Sequence, residues 1–207
     1  MDRPLLPYGE RAFLVEVGSP REAAALFRAL CEQRPAGCLD IVPAARTVLL
    51  RFANRGDREA AERLARTVPA AQGDSTSGET VTIPVDYSGP DLEKVARATG
   101  LSVEEVVAAH TAPTYDVAFG GFAPGFAYLA GLDDRLRVSR RATPRPSVPA
   151  GSVAIADEFT AVYPRSSPGG WMLLGHTETR MLDLERDEPM LVRPGMRVRF
   201  EAVAYAC

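Results

Sequence analysis

Lysine is almost missing from this chain of 207 residues, in which Lys94 stands alone against 23 arginines. That lysine falls in a helical pattern, and no GxxxxGK[ST] run occurs, so a P-loop phosphate cradle is excluded. The skew toward arginine reads as base composition and carries no function. Histidine is equally scarce, with only His110 and His176. Neither HExxH nor paired His/Cys spacing is present, so no metal site is signalled, and a Ser-His-Asp triad has no GxSxG elbow to support it. Cys31, Cys38 and Cys207 are an odd set without CxxC spacing. They read as free thiols in a reducing compartment rather than as a disulfide framework or a zinc site. No apolar run is long enough to span a bilayer, and Met1–Pro7 lacks both the charged and the apolar parts of a secretory leader. The expectation is a soluble, cytoplasmic protein. A net charge of −3 gives no pull toward phosphate backbones or anionic lipid, which argues against nucleic acid and membrane as partners.

What is present falls into two textures. Residues 11–86 alternate in the order β-α-β-β-α-β, with strands expected at Ala12–Val17, Leu39–Val42, Thr47–Phe52 and Thr80–Val85. Helices are expected at about 20–33 and 57–68. That order is the split βαβ arrangement of a ferredoxin-like sandwich, an α+β fold that hosts many functions and identifies none. Residues 71–78 have no apolar period and read as a surface loop. Two short helices follow, the second opened by a capping box of Ser102 and Glu105. Glu104 and Glu105 argue against a DNA-reading helix, so residues 87–112 are expected as a helical connector. From Tyr115 onward short apolar strands alternate with Gly/Pro turns, at Tyr115–Phe119, Val153–Ala156, Thr160–Tyr163, Met172–Leu174, Met181–Leu184 and Val198–Ala204. The pattern suggests a barrel over residues 113–207.

The densest information lies between Gly120 and Trp171. These 52 positions hold 7 of 17 glycines and 6 of 17 prolines, with aromatics beside them, a composition unlike that of a flexible linker. Arg135, Arg137, Arg140, Arg141, Arg145 and Arg165 crowd the same region. They form either an anion-facing patch or a set of arginines paired within the fold. Pro144 and Pro146 hold Arg145 on a stiff extended backbone. Ser152, Thr160, Tyr163, Ser166 and Ser167 offer neutral hydrogen-bonding groups. Trp171, after Gly169-Gly170, is either a wall open to a ligand or a buried core tryptophan.

Several blocks in order carry a resemblance: Gly121-Phe122-Ala123-Pro124-Gly125-Phe126-Ala127-Tyr128-Leu129, Pro144-Arg145, Val148-Pro149-Ala150-Gly151-Ser152-Val153-Ala154-Ile155, Tyr163-Pro164 and Ser167-Pro168-Gly169-Gly170-Trp171. Together they resemble the 5-oxoprolinase B-subunit family, also called allophanate hydrolase subunit 1, which includes the sporulation kinase inhibitor KipI. The match is sharpest over residues 110–182.

That resemblance implies a ferredoxin-like domain followed by a cyclophilin-like β-barrel. It implies two partners, the cyclophilin-like C subunit of 5-oxoprolinase and its A subunit. The three together open the lactam of 5-oxoproline to glutamate at the expense of ATP. Isolated, the chain is expected to be inactive. Related branches imply two alternatives, inhibition of a sensor histidine kinase and carboxyl transfer on urea- or allophanate-type amides. Prolyl isomerisation rests on the fold alone. Carried over by position, the implied substrate or partner pocket comprises Phe122, Pro124, Gly125, Phe126, Tyr128, Arg145, Gly151, Ser152, Thr160, Tyr163, Gly169, Gly170, Trp171 and His176. Within it Arg145 would hold a carboxylate or phosphate, and Ser152 and Thr160 would orient a carbonyl. No catalytic residue is assigned. The chain departs from the family pattern at Ala127, where Pro is frequent, in the segment Asp157–Ala161, commonly Gly-rich, and at His176, often Arg.

Overall fold

A computed structural model describes residues 3–69 and 79–204 and divides into two compact units, Met1–Thr76 and Ser77–Cys207. The surface loop expected at 71–78 and Cys207 lie outside the described residues.

In the first unit, strands β1 (Leu5–Pro7), β2 (Ala12–Glu16), β3 (Cys38–Pro43) and β4 (Thr47–Phe52) form an antiparallel sheet in the order β1-β2-β4-β3. Strand alternation puts Phe13, Val15, Val48, Leu50 and Phe52 in one core with residues of the helices α1 (Pro20–Glu32) and α2 (Arg55–Thr67). Ser19 and Asn54 cap those helices by accepting from the backbone N–H of Glu22 and Asp57. One expectation fails here. The strand Thr80–Val85 is not the last strand of this sheet, and the place beside β2 is taken by Leu5–Pro7. Period-two alternation marks a strand without saying which sheet will pair it.

Thr80–Val85, β5, belongs to the second unit, where it pairs in parallel with β13 (Arg197–Ala202). The remaining strands are β6 (Thr114–Gly120), β7 (Ala127–Ala130), β8 (Arg145–Val148), β9 (Ser152–Ala156), β10 (Phe159–Val162), β11 (Ser167–Gly169) and β12 (Met172–His176). Five of these join β5 and β13 in a seven-stranded sheet of order β12-β9-β10-β7-β6-β13-β5. Its two edges meet: Asp86, next after β5, and His176, at the end of β12, exchange both backbone hydrogen bonds at 2.8 Å. A single bridge therefore draws the sheet into a nearly closed barrel, which leaves few free edges. Strands β8 and β11 pair as a separate antiparallel ribbon. Met181–Leu184, expected as a strand, forms only an isolated bridge between Leu182 and Met190.

The helices α3 (Leu92–Thr99) and α4 (Val103–Thr111) do not stand apart as a connector. Leu92, Val95, Ala96, Val106 and Ala109 share the core of the barrel strands. The capping box forms as expected, with the Ser102 N–H donating to Glu105 Oε2 at 2.8 Å and the Glu105 N–H to Ser102 Oγ at 3.1 Å. Among the described residues, no helix is long and apolar enough to cross a membrane.

Candidate functional site

The loop between β6 and β7 turns tightly, because Gly125 adopts φ +80° and Phe122 adopts φ +66°, a conformation uncommon for an aromatic residue. The turn delivers Phe126 inward and leaves Phe122 60% exposed. Phe126 meets Tyr128, Tyr163 and Trp171 edge to face at centroid separations of 5.1, 5.3 and 5.6 Å, and Tyr128 meets Trp171 in the same way at 5.6 Å. Phe122 closes on Phe126 at 5.2 Å. The ribbon supplies the floor, since Gly169 and Gly170 of its β11 end carry no side chains. A Cβ at Gly169 would run into the Tyr163 hydroxyl. The result is a narrow cleft of about 80 Å³ lined by Phe122, Phe126, Tyr128, Arg140, Tyr163, Gly169, Gly170 and Trp171. The Arg140 guanidinium lies 5.9 Å from the centre of the Trp171 ring. Burial raises the Tyr163 hydroxyl above the usual range, against the pull of the Trp171 backbone N–H and of the Arg140 and Arg145 charges. At neutral pH it keeps its proton and can donate it to an acceptor.

Two further clefts lie around the seam of the barrel. One, of about 260 Å³, is lined by Arg145, Ser147 and Ser152 with Ser88, Pro90, Leu173 and His176. The other, of about 430 Å³, holds Gly151, Tyr163, Pro164, His176 and the segment Thr177–Arg180. His176 borders both, and Tyr163 joins the second to the aromatic cleft. Gly151 is required where it stands: its φ is +77°, and a Cβ would strike the Thr177 carbonyl.

Arg145 does not meet solvent with a free fork. Asp91, 2% exposed, accepts a hydrogen bond from Nη2 at 2.9 Å and pairs in charge with Nη1 at 2.8 Å without a hydrogen bond to it, while Arg141 reaches the same carboxylate at 3.2 Å. The Leu173 N–H adds a fourth contact at 2.9 Å. Burial opposes the charge on Asp91, but Arg145, that N–H and Arg141 together hold the carboxyl below its ordinary value. Arg145 thus reaches the seam cleft as one member of a buried cluster rather than as an open anion hook.

Thr160 is placed still more deeply. It is fully buried, and its hydroxyl donates to the Ala154 carbonyl at 3.1 Å. With that proton committed, Thr160 Oγ1 accepts from His110 Nε2 at 2.8 Å, so His110 Nδ1 accepts from the Tyr87 hydroxyl at 2.7 Å. Burial lowers His110 to about 3, so the ring is neutral. This chain of bonds ties α4 to β10 and lines none of the three clefts.

Of the expected pocket residues, the aromatic cleft gathers Phe122, Phe126, Tyr128, Tyr163, Gly169, Gly170 and Trp171. The clefts around the seam take Arg145, Gly151, Ser152 and His176. Pro124 and Gly125 shape the β6–β7 turn, with Gly125 packed toward Pro164 and Leu182, and do not line a cleft. Sequence reasoning missed Asp91, which stands 54 residues from Arg145. It counted Arg140 only as one arginine of a crowd.

The carboxyltransferase domain family, subdomains C and D, matches residues 4–192. A curated relative, the 5-oxoprolinase B subunit of Escherichia coli, is 46% identical over 157 residues, which are 74% of this chain and 72% of that protein. The chain belongs to the family of 5-oxoprolinase B subunits. The Bacillus subtilis member is 44% identical over 71% of this chain and 61% of its own length. Among solved structures, the crystal structure of TTHA0988 superposes with a TM-score of 0.78 at 41% identity, covering 95% of this chain. This chain spans only 40% of that longer one. The family segments quoted from the sequence, from Gly121 to Trp171, build the aromatic cleft and the ribbon beneath it and also supply Arg145, Gly151 and Ser152 to the clefts at the seam.

Proposed function

We propose that this chain is the B subunit of an ATP-dependent 5-oxoprolinase, which hydrolyses the lactam C–N bond of 5-oxoproline to give glutamate. The observation that carries this reading is the 46% identity to a 5-oxoprolinase B subunit over nearly three quarters of both chains. In this reading the first unit is a strand-rearranged ferredoxin-like layer and the second a cyclophilin-like barrel whose clefts take the substrate. The A and C subunits supply what the chain does not carry. Its one lysine lies on α3, away from any glycine-rich loop, so the chain carries no P-loop for the ATP that the complex uses. The clefts hold tyrosine, serine and arginine, with His176 paired to Glu178 at 3.2 Å, and offer no nucleophile held by a base. Such a half-site suits a non-autonomous cytoplasmic subunit that binds and orients a small amide.

Reconstitution tests the reading. The chain is mixed with the A and C subunits, and glutamate is measured from 5-oxoproline with and without ATP. The expected result is ATP-dependent glutamate from the full mixture and none from the chain alone. A full mixture without turnover, or turnover undiminished when this chain is left out, contradicts it.

A further inference from the structure

Arg140 differs from its neighbours in how it is paired. Arg145 and Arg141 are engaged by Asp91, Arg135 by Asp133 at 2.7 Å and Arg137 by Asp134 at 2.8 Å. The nearest carboxylate to Arg140 is Asp157, 3.7 Å from Nε, with both side chains 59% exposed. Among the described residues its guanidinium makes no hydrogen bond, and exposed pairs at that distance are worth little. The guanidinium nevertheless lies over the Trp171 ring, 5.9 Å from its centre, and lines the aromatic cleft. An unspent fork at the rim of a narrow apolar slot is the arrangement that recognises a flat apolar body bearing a carboxylate.

We propose that the aromatic cleft takes a small ring acid, with Arg140 as its carboxylate contact and the Tyr163 hydroxyl as donor to a ring carbonyl. The ring lies in the mouth of the cleft, against exposed Phe122 and half-buried Tyr128 and above the bare backbone of Gly169 and Gly170, with the packed rings of Phe126 and Trp171 (4% exposed) behind it. This rests on the 5-oxoproline reading and deepens it, because a planar five-membered lactam with an adjacent carboxylate has that shape and those two acceptors. It also transfers the anion contact from Arg145, whose fork Asp91 occupies, to Arg140.

The test uses both the reconstituted complex and the chain alone, in which Trp171 is the only tryptophan and reports on the cleft through its emission. In the complex, Arg140→Gln is expected to raise KM for 5-oxoproline roughly ten- to a hundredfold, the worth of a charge-assisted pair, with a much smaller change in kcat. Arg140→Lys recovers part of the loss. In the chain alone, 5-oxoproline changes Trp171 emission saturably, and its uncharged carboxamide binds more weakly by a similar factor. Arg140→Gln abolishes that preference for the acid. The proposal is overturned if Arg140→Gln leaves both KM and the Trp171 titration unchanged, or if the wild-type chain binds acid and carboxamide equally. An Arg140-dependent Trp171 response in a chain whose complex shows no turnover would sustain this site and defeat the catalytic reading.

Discussion

Two buried polar residues of the barrel unit govern its response to acid. His110 is neutral in the fold, with its value lowered from 6.5 to about 3 by burial. The unfolded chain therefore takes up a proton first as pH falls. The sign follows: stability is full above about pH 6.5 and declines below it, with a limiting slope of about 1.4 kcal/mol per pH unit for one proton. Asp91 acts in the same direction but later. Its folded value lies below the ordinary one of 3.8, so its contribution is present above about pH 4 and is lost as pH falls through the lower folded value. Urea unfolding between pH 7 and 4.5 is expected to show the first decline, and His110→Gln, which keeps a donor and an acceptor, is expected to flatten it. A wild-type stability that stays level from pH 6.5 to 5 would contradict the buried neutral imidazole.

This scale was also the least legible in the sequence. Arg145 drew attention because Pro144 and Pro146 stiffen it, yet where its fork points is decided by Asp91, which only the fold brings near. Thr160 looked available as a polar group, but it sits in β10, whose four residues are all buried, and its partner His110 is 50 residues away. The glycines were easier to read. Each of Gly125, Gly151 and Gly169 meets a local demand, either a positive φ or a close backbone or ring approach, and such demands leave a mark in the adjacent sequence.

Among the elements, the decisive feature is the seam. The sheet closes where Asp86 and His176 exchange two hydrogen bonds, and Gly175 beside them has no room for a side chain, because a Cβ would run into the Asp86 carbonyl. Gly175→Ala is expected to lower the unfolding free energy by roughly 1–3 kcal/mol through overpacking against backbone. It is also expected to speed amide hydrogen exchange at Asp86 and His176, where the bridge would open. Unchanged exchange at those two amides would remove the seam from the account. The strands that make the seam were visible as short apolar runs, whereas their pairing was not. Thr80–Val85 reads equally well in either sheet, and its place is set by a partner more than a hundred residues later, β13. Leu5–Pro7 is too short and proline-bearing to announce itself as the strand that fills the vacated edge.

For the whole molecule, the stretch from Gly120 to Trp171 becomes one surface because the barrel brings its separate turns together. The β6–β7 turn brings Phe122 and Phe126, β7 brings Tyr128, and Tyr163 follows directly on β10. The β8–β11 ribbon supplies the floor on which Trp171 follows. The family motifs made this region recognisable, but not its division into an aromatic cleft and polar clefts at the seam. That division frames the central claim, that the substrate ring is held at Trp171. The single tryptophan gives one indole N–H signal in a ¹H–¹⁵N correlation spectrum of the labelled chain, and 5-oxoproline can be titrated against it. The account predicts a saturable shift of that signal, reduced in Arg140→Gln. An indole signal that stays fixed while the amides of Ser152 and His176 shift would place the ligand at the seam and contradict the account.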